Sequence, residues 1–554
     1  MKEEYNLINI VIISLFLLSN IFYLNLNGLP ISNPGNIKAA DPFYHVIAVE
    51  NIIDTKQWNY YDKYISLGRE KEVSLQPPLY YITSAILTTF SNLPPWITLY
   101  FILCITMALN VIIMYLLTKE IFENEEIAIL ASIFSIFPIP LNVWLYPLYI
   151  GLWLQVPSNF FILTFIWLFI KYLKKQETIV LFFIGICLTG ILLVHPQDLG
   201  VLFLPCLYLA YYIFKKNLSK DIINSIKKTI YNYLFLIIPF AIIFLTLLPR
   251  FLFVWGSSGA SQYKFGFYGF RSNFFTKEYS GGLVFPLITF VPLYLIIIWF
   301  LSILQLYINK EKYKKWLFVN IYFFIITYVL LIFIEQPYYF ARLRTLTPYI
   351  LYPSISYFTY YLIKQVEEKL KIKNLVKISI ILLFSLILLY SLPTYFSLKE
   401  QLKYEHISLQ KWDAYKWIQE NTKKNDKILF FGGVFQSEQI YTKRITALFD
   451  YSEYQKRINE YISTNQTPLI FSGVWGANTL RTNKIEKNFF SYEKVNEPNN
   501  TFNILDFEYL FFNDLTPEIA NVNHFLISEY QKYGFIIVYN KNGFIIMKNT
   551  NKLT

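Results

Sequence analysis

Long apolar runs separated by short, lysine-bearing polar stretches dominate the first 396 positions, and the pattern changes abruptly beyond them. Such runs lie near 7–26, 96–118, 127–145, 156–173, 178–194, 199–214, 230–253, 283–308, 316–334, 346–363 and 376–393. A helix of about 20 apolar residues crosses a hydrocarbon core of roughly 30 Å, so the pattern predicts a polytopic α-helical membrane protein of about 11 transmembrane helices. The first run is too long for a signal-peptide core and lacks a small-residue cleavage site, so it reads as a membrane anchor. With the N-terminus cytoplasmic, the inner loops collect Lys119, Lys171, Lys174, Lys175, Lys215, Lys216, Lys227, Lys228, the 310–315 cluster and the 364–377 segment. Cytoplasmic loops carry just such an excess of Lys and Arg. An odd number of spans then places everything beyond the last one outside the cell membrane.

The predicted external segments are the unusual ones. Loop one, 27–95, is too long and polar for a connector. Within it Asp41 reads as the N-cap of a helix opened by Pro42 and running to Thr55. A second helix opens at Gln76-Pro77-Pro78-Leu79-Tyr80-Tyr81 and reaches about Phe90; it is too short to span, so it is placed flat on the membrane surface. A later loop, 254–282, is rich in Gly, Ser and aromatic residues and suits a mobile lid. The domain boundaries follow: 1–396 is a transmembrane domain, and 397–554 a small extracytoplasmic α/β domain. Its signs are a helix around Trp412 and Trp417, a buried strand Lys427-Ile428-Leu429-Phe430-Phe431, short apolar runs at 468–474, 507–512, 524–527 and 535–538, and a hairpin turn at Asn540-Lys541-Asn542-Gly543.

Composition narrows the functional classes. Of 554 residues 55% are hydrophobic and 19% aromatic, which excludes an ordinary soluble chain. The net charge of +12 arises from lysines between apolar runs, not from one soluble face, so no nucleic-acid partner is expected. The three cysteines all lie in apolar runs, against disulfides or a thiolate metal site. There is no P-loop, dinucleotide fingerprint or nucleophile elbow. Few charges fall inside the spans, against an ion pathway.

Candidate chemistry therefore concentrates on the outer face. Asp41, His45, Glu50 and Asp54 share one short helix, as two pairs spaced four apart. A carboxylate at position 41 is placed to deprotonate an acceptor hydroxyl; the structural reading of the same residue is a helix cap worth about 1 kcal/mol. His195 and Asp198 follow the fifth run, where they read either as a capped loop or as part of the same cleft. Together with Asp41 and His45 they would offer a His/carboxylate set to a divalent metal, but the spacing is not that of a defined metal site, and no cofactor is expected. Glu335, Arg342 and Arg344 stand at the external mouth of two spans, against the charge rule. A phosphate clamp and lipid headgroup contact both account for the arginines. Lys264 and Arg271, in the 254–282 loop, are further candidates for substrate contact.

An Asp just beyond span one, a Pro-Pro-Leu-Tyr-Tyr surface helix and a His-Pro after span five together resemble the GT-C superfamily of membrane glycosyltransferases. Its members include dolichyl-phosphate-sugar-dependent transferases, protein mannosyltransferases, aminoarabinose transferases and oligosaccharyltransferase catalytic subunits. In that superfamily the first-loop acid is a base or an acceptor-site carboxylate, which implies that role for Asp41. The segment Trp412–Asn421 followed by Lys427-Ile428-Leu429 also looks like the start of the outer domain in archaeal and bacterial relatives. Two departures matter. Oligosaccharyltransferases carry Trp-Trp-Asp-Tyr-Gly after that strand, whereas this chain reads Phe430-Phe431-Gly432-Gly433-Val434. Their second external loop carries acidic metal ligands, whereas here Leu145–Leu152 contains no acid. Both departures point away from protein N-glycosylation and from a bound metal.

The resemblance implies inverting transfer of a sugar from a polyprenyl-phosphate donor to a lipid-linked or surface glycan on the extracytoplasmic side. Asp41 would act as base with His45 beside it, and Glu50, Asp54, His195, Asp198, Lys264, Arg271, Glu335, Arg342 and Arg344 would contact substrates. The alternatives are a divergent oligosaccharyltransferase-like enzyme acting on protein, and a non-catalytic envelope protein such as a lipid-glycan flippase.

Overall fold

The computed structural model describes residues 40–58, 77–136, 153–175, 177–195, 198, 293–324, 347–386, 407–431, 441–449, 469–475, 483–485, 492–494, 501–513 and 517–552, with scattered single positions between them. The expected spans 199–214 and most of 7–26 and 230–253, the lid 254–282, and residues Lys264, Arg271, Glu335, Arg342 and Arg344 lie outside the described residues.

Helix α1 covers Ala40–Thr55, α2 Pro78–Ser91 and α3 Pro95–Phe122. The prolines at the starts of α2 and α3 sit where a missing N–H leaves no helical hydrogen bond unmade. Asp41 occupies the first turn of α1 and not the cap position expected for it. Next come α4 (Glu125–Ile136), α5 (Gln155–Lys175), α6 (Thr178–Val194), α7 (Leu293–Ile308), α8 (Lys310–Phe324) and α9 (Thr347–Leu370), then α10 (Leu375–Leu386). Among the described residues, α3 and α5 are long and apolar enough to cross a membrane, while α6, α10 and part of α7 are shorter apolar helices. One difference from the sequence pattern is that 310–315, expected as a polar loop, is the start of α8. Lys and Glu are good helix formers, and an exposed helical turn is read as a loop when only apolar periodicity is followed.

Three of the lysine-bearing segments meet at one end of this bundle. Lys174 pairs with Glu120 at 3.3 Å and Glu123 at 2.8 Å. Lys315 Nζ donates to the carbonyl of Leu173 at 3.0 Å, and Phe122 stacks on Tyr357 with ring centres 4.8 Å apart. A lysine at a helix C-terminus satisfies carbonyls that the helix cannot. The opposite end holds Trp96, Trp153 and Val194 in a shared core with Val46 and Tyr81.

The C-terminal part is an α/β unit. Helix α11 (Leu409–Asn421) is capped by Ser408, whose Oγ accepts from the Lys411 N–H at 3.1 Å. Strands β1 (Lys427–Phe431), β2 (Ile445–Phe449), β3 (Ile470–Trp475), a small β4–β5 hairpin (Asn483–Ile485, Tyr492–Lys494), β6 (Thr501–Asn503) and β7 (Tyr509–Asn513) follow. Helix α12 (Pro517–Gln531) and the hairpin β8 (Phe535–Lys541) and β9 (Phe544–Asn549) end the fold. Seven strands form one sheet in the order β6-β3-β2-β1-β7-β9-β8, with β1 parallel to β2 and β7 and the other pairings antiparallel. Period-two alternation sends Ile428, Phe430 and Phe511 into one core and Leu429, Phe431, Leu510 and Phe512 into another, which explains the unbroken apolar run of β1. The second core is completed by Leu526, Ile527 and Tyr530 of α12. The run 524–527 is therefore helical, unlike the strand-like runs around it; its buried partner Tyr530 follows at helical spacing. The β8–β9 turn places Asn542 and Gly543 at φ +53° and +81°, the left-handed pair that a two-residue hairpin favours.

The first core is continuous across both parts of the chain. It runs from Val46, Tyr81 and Trp96 through Trp412 and Tyr415 to Phe430 and Ile546. Trp412 lies edge-on to both Trp96 and Tyr441, with centroids 5.8 and 5.2 Å apart.

Candidate functional site

Helix α1 presents two of the expected residues to different neighbours. His45 is 4% exposed, and its Nδ1 lies 2.8 Å from the Tyr81 hydroxyl. Its ring also meets the edge of Tyr80 and lies against Trp153, at 6.2 and 5.8 Å between centroids. Tyr80 is itself fixed, its hydroxyl donating to the Leu99 carbonyl at 2.8 Å. The Tyr-Tyr pair that follows Pro78 thus anchors α2 to α1 and α3 at once. Asp41 precedes His45 by one helical turn in α1.

Glu50 is on the same helix, and its Oε2 lies 3.1 Å from Lys443 Nζ, just before β2. Burial pushes the Glu50 carboxyl above the usual carboxylate range; the Lys443 ammonium opposes that shift, and the nearby Asp54 charge adds to it. The Tyr441 phenol is raised well above its ordinary range, first by burial and then by the Glu50 charge. Asp54 is exposed.

His195 and Asp198 come together. His195 ends α6, donating its N–H to the Ile191 carbonyl, and the Asp198 N–H returns to the His195 carbonyl at 3.0 Å. Asp198 is 1% exposed. Its Oδ2 accepts from Gln155 Nε2 at 2.9 Å and Ser158 Oγ at 2.5 Å, and lies 2.9 Å from His195 Nδ1. Gln155 Nε2 also donates to Asn159 Oδ1 at 3.0 Å. Gln155, Ser158 and Asn159 recur at helical spacing along the first turns of α5, so one face of that helix lines the carboxylate. Gln155 Oε1, Asn159 Nδ2 and Asn110 Oδ1 are buried with hydrogen-bonding capacity left over among the described residues. Buried polar atoms normally find partners.

The two groups are joined by a short segment: Trp153 packs on His45, and Gln155, two positions later, holds Asp198. The expected residues His45, His195 and Asp198 are therefore served by one piece of chain, whereas Glu50 points to the α/β unit. Sequence reasoning did not single out Gln155, Ser158, Asn159, Trp153 or Lys443, and it named Tyr81 only within the surface-helix motif, with no partner for its hydroxyl. The signal for the first three was present, as polar residues repeating on one face of an apolar run. Among the described residues no group of three or more His, Cys, Asp and Glu side chains is arranged to hold a metal ion.

A family model of a "family of unknown function (DUF6541)" matches residues 9–342. The chain belongs to this DUF6541 family. No curated protein matches the DUF6541 chain significantly. Solved structures do. ArnT from Cupriavidus metallidurans, bound to undecaprenyl phosphate, superposes with a TM-score of 0.53 at 8% identity, over 99% of this chain and 98% of that one. The archaeal oligosaccharyltransferase AglB from Archaeoglobus fulgidus, in complex with an inhibitory peptide and a dolichol-phosphate, gives 0.52 at 14% identity, over 100% of this chain and 75% of that one. A further structure of the A. fulgidus oligosaccharyltransferase, tethered with an acceptor peptide, matches with a TM-score of 0.48 at 16% identity. That alignment covers 80% of this chain and 64% of the longer protein. The DUF6541 chain thus has a GT-C-like fold, the fold of a class of integral membrane glycosyltransferases.

Proposed function

We propose that the chain is a membrane glycosyltransferase that moves a sugar from a polyprenyl-phosphate donor to a lipid-linked or surface glycan on the extracytoplasmic side. The observation that carries this reading is the conjunction at Trp153–Gln155, where the helix bearing Asp41 and His45 meets the buried His195–Asp198 turn within a GT-C-like fold. The ArnT and AglB structures hold undecaprenyl phosphate and a dolichol-phosphate, which supports a lipid-phosphate donor here.

In this mechanism the acceptor hydroxyl gives its proton to Asp41 as its oxygen bonds to the sugar's anomeric carbon. The bond from that carbon to the phosphate oxygen breaks, the configuration inverts, and the electron pair leaves with the polyprenyl phosphate. Arg342 and Arg344 hold the departing phosphate by guanidinium forks, with Lys264, Arg271 and Glu335 as further substrate contacts. His45, fixed by Tyr81, orients the acceptor beside Asp41. The spare capacity of Gln155 and Asn159 near Asp198 and His195 receives sugar hydroxyls. Asp54 is exposed at the far end of the same helix from Asp41, and it and Glu50 are further substrate contacts. No metal is required for a base of this kind.

The topology that goes with this reading has eleven spans, a cytoplasmic N-terminus and residues 397–554 outside. It is supported by the gathering of Lys174 and Lys315 at one end of the bundle, with Trp96 and Trp153 at the other. A glycan acceptor is preferred to a protein one because β1 runs into Phe431-Gly432-Gly433-Val434, not into an oligosaccharyltransferase motif. A transfer assay in proteoliposomes with a panel of polyprenyl-phosphate sugars tests the proposal. Product on a glycan acceptor is expected; transfer only to sequon peptides would move the assignment to protein glycosylation, and no transfer with any donor would remove it.

A further inference from the structure

We propose that Glu50 and Lys443 form a positioning contact through which the C-terminal α/β unit sets the placement of the helix that carries Asp41 and His45. The inference rests on the reading of Asp41 and His45 as acceptor-side residues. The contact itself is a matter of geometry. Glu50 Oε2 and Lys443 Nζ are 3.1 Å apart, with the Glu50 side chain only 14% exposed and that of Lys443 33% exposed. Exposed ion pairs on a flexible surface contribute little. Here the acid is enclosed, and losing its partner would strand a charge away from water.

The basic partner is presented rigidly. Lys443 has φ +54°, a backbone conformation that an L residue adopts only when its surroundings hold it there. The next residue, Arg444, supplies the hold. Its Nη1 donates to the carbonyls of Thr442 and Lys443 at 3.3 and 3.1 Å. Its Nη2 donates to those of Gln419 and Thr422 at 2.7 and 2.8 Å, and its Nε to Thr422 Oγ1 at 2.7 Å. Arg444 is buried, and it fastens the Lys443 turn to the C-terminal end of α11, where unpaired carbonyls and the helix dipole favour a cation. Helix α11 is in turn seated on the bundle by Trp412 against Trp96.

The receiving helix is held at a second point by a different part of the chain. His45 is tied to Tyr81 and Trp153, five positions before Glu50. Five positions on an α-helix turn through about 140°, and the nine from 41 to 50 through about 180° with a rise of about 13.5 Å. The two anchors therefore bear on different sides of α1, and together they fix its rotation and its advance along its axis. Val46, Ile47, Ala48 and Val49 between them are buried, but apolar packing alone specifies rotation less sharply than a directional pair does. Position 41 lies about half a turn from position 50, so a small rotation at the pair moves it sideways toward or away from an acceptor.

The test uses the full chain in lipid nanodiscs, comparing wild type with Glu50→Gln, Lys443→Met and Lys443→Arg. Hydrogen exchange at the amides of 46–55 reads the contact directly, and initial rates with a polyprenyl-phosphate sugar and glycan acceptor read its consequence. Loss of the pair is expected to speed exchange there about tenfold. It is expected to lower kcat about tenfold or more, as misplacement of a reacting group does, with KM for the lipid donor within about twofold. Lys443→Arg is expected to restore both. Unchanged exchange in Glu50→Gln and Lys443→Met would overturn the contact, and faster exchange with unchanged kcat would overturn its positioning role. If wild type transfers no sugar, the enzyme reading fails while the exchange measurement still decides whether the α/β unit holds this helix. Should Lys443→Met not fold, Glu50→Gln, which leaves no stranded carboxylate, carries the same comparison.

Discussion

Gln155 Nε2 donates to Asp198 Oδ2 at 2.9 Å, tying the first turn of one apolar helix to the turn that closes the next. Ser158 and His195 meet the same oxygen, so a buried carboxylate is held by groups from both helices. Replacing Gln155 by Met removes one donor without changing the bulk. The expected loss is about 1–3 kcal/mol, as for other buried charged groups left short of a partner. Thermal unfolding in detergent checks it. A Gln155→Met, Ser158→Ala double variant should lose a different amount from the sum of the singles, since both donors act on one oxygen.

Tyr81→Phe deletes the hydroxyl that meets His45 Nδ1 and leaves the ring in place. Stability is expected to fall by about 1 kcal/mol, and the His45 ring resonances should shift in a histidine-labelled sample. If His45 orients the acceptor, the variant should also raise KM for the acceptor more than KM for the donor.

Gly190 of α6 faces Phe161 of α5 so closely that an added Cβ would stand 2.5 Å from the ring. Gly190→Ala is therefore expected to push α5 and α6 apart and to lower stability by about 1–3 kcal/mol. Phe161→Leu combined with it should recover part of that loss, measured by the thermal midpoint of the double variant.

The sign of one pH effect follows from Glu50. Burial raises its folded carboxyl above the 4.5 of the unfolded chain, and Lys443 offsets only part of that. A group with a raised folded pKa contributes most when protonated in both states, and that contribution is lost as pH rises through 4.5 to the folded value. Relative to Glu50→Gln, wild type should be most stable in acid and should lose ground as pH rises from 4.5 through the raised folded value. Thermal midpoints of the two proteins across that window check the direction. Lys443→Met should enlarge the loss, because it removes the charge that restrains the shift.

Much of the scaffold could be read from residue order, and the reasons are local. Pro77-Pro78 and Pro94-Pro95 announce helix starts, Asn542-Gly543 announces its hairpin turn, and Lys427–Phe431 is a strand whose faces are both covered. The pairing of His195 with Asp198 was legible too, since the two close a four-residue turn. What escaped depends on contacts between distant segments. Nothing near Glu50 in the chain points to Lys443, 393 positions later, and nothing near Tyr81 points to His45 as its partner. The run 524–527 left its element open because Phe525, Leu526 and Ile527 alone have no period of their own; Tyr530, buried against the sheet, reveals the helix.

The central claim is that Asp41 takes the acceptor proton, and Asp41→Asn tests it most directly. The variant keeps the size and the helical position of the side chain but is a far weaker base. Transfer from a polyprenyl-phosphate sugar to a glycan acceptor should be measured for both proteins at matched membrane insertion and matched thermal midpoint. A fall in kcat of about 10²–10⁴, the usual contribution of a general base, is the predicted result. Transfer by the variant at the wild-type rate would contradict the account.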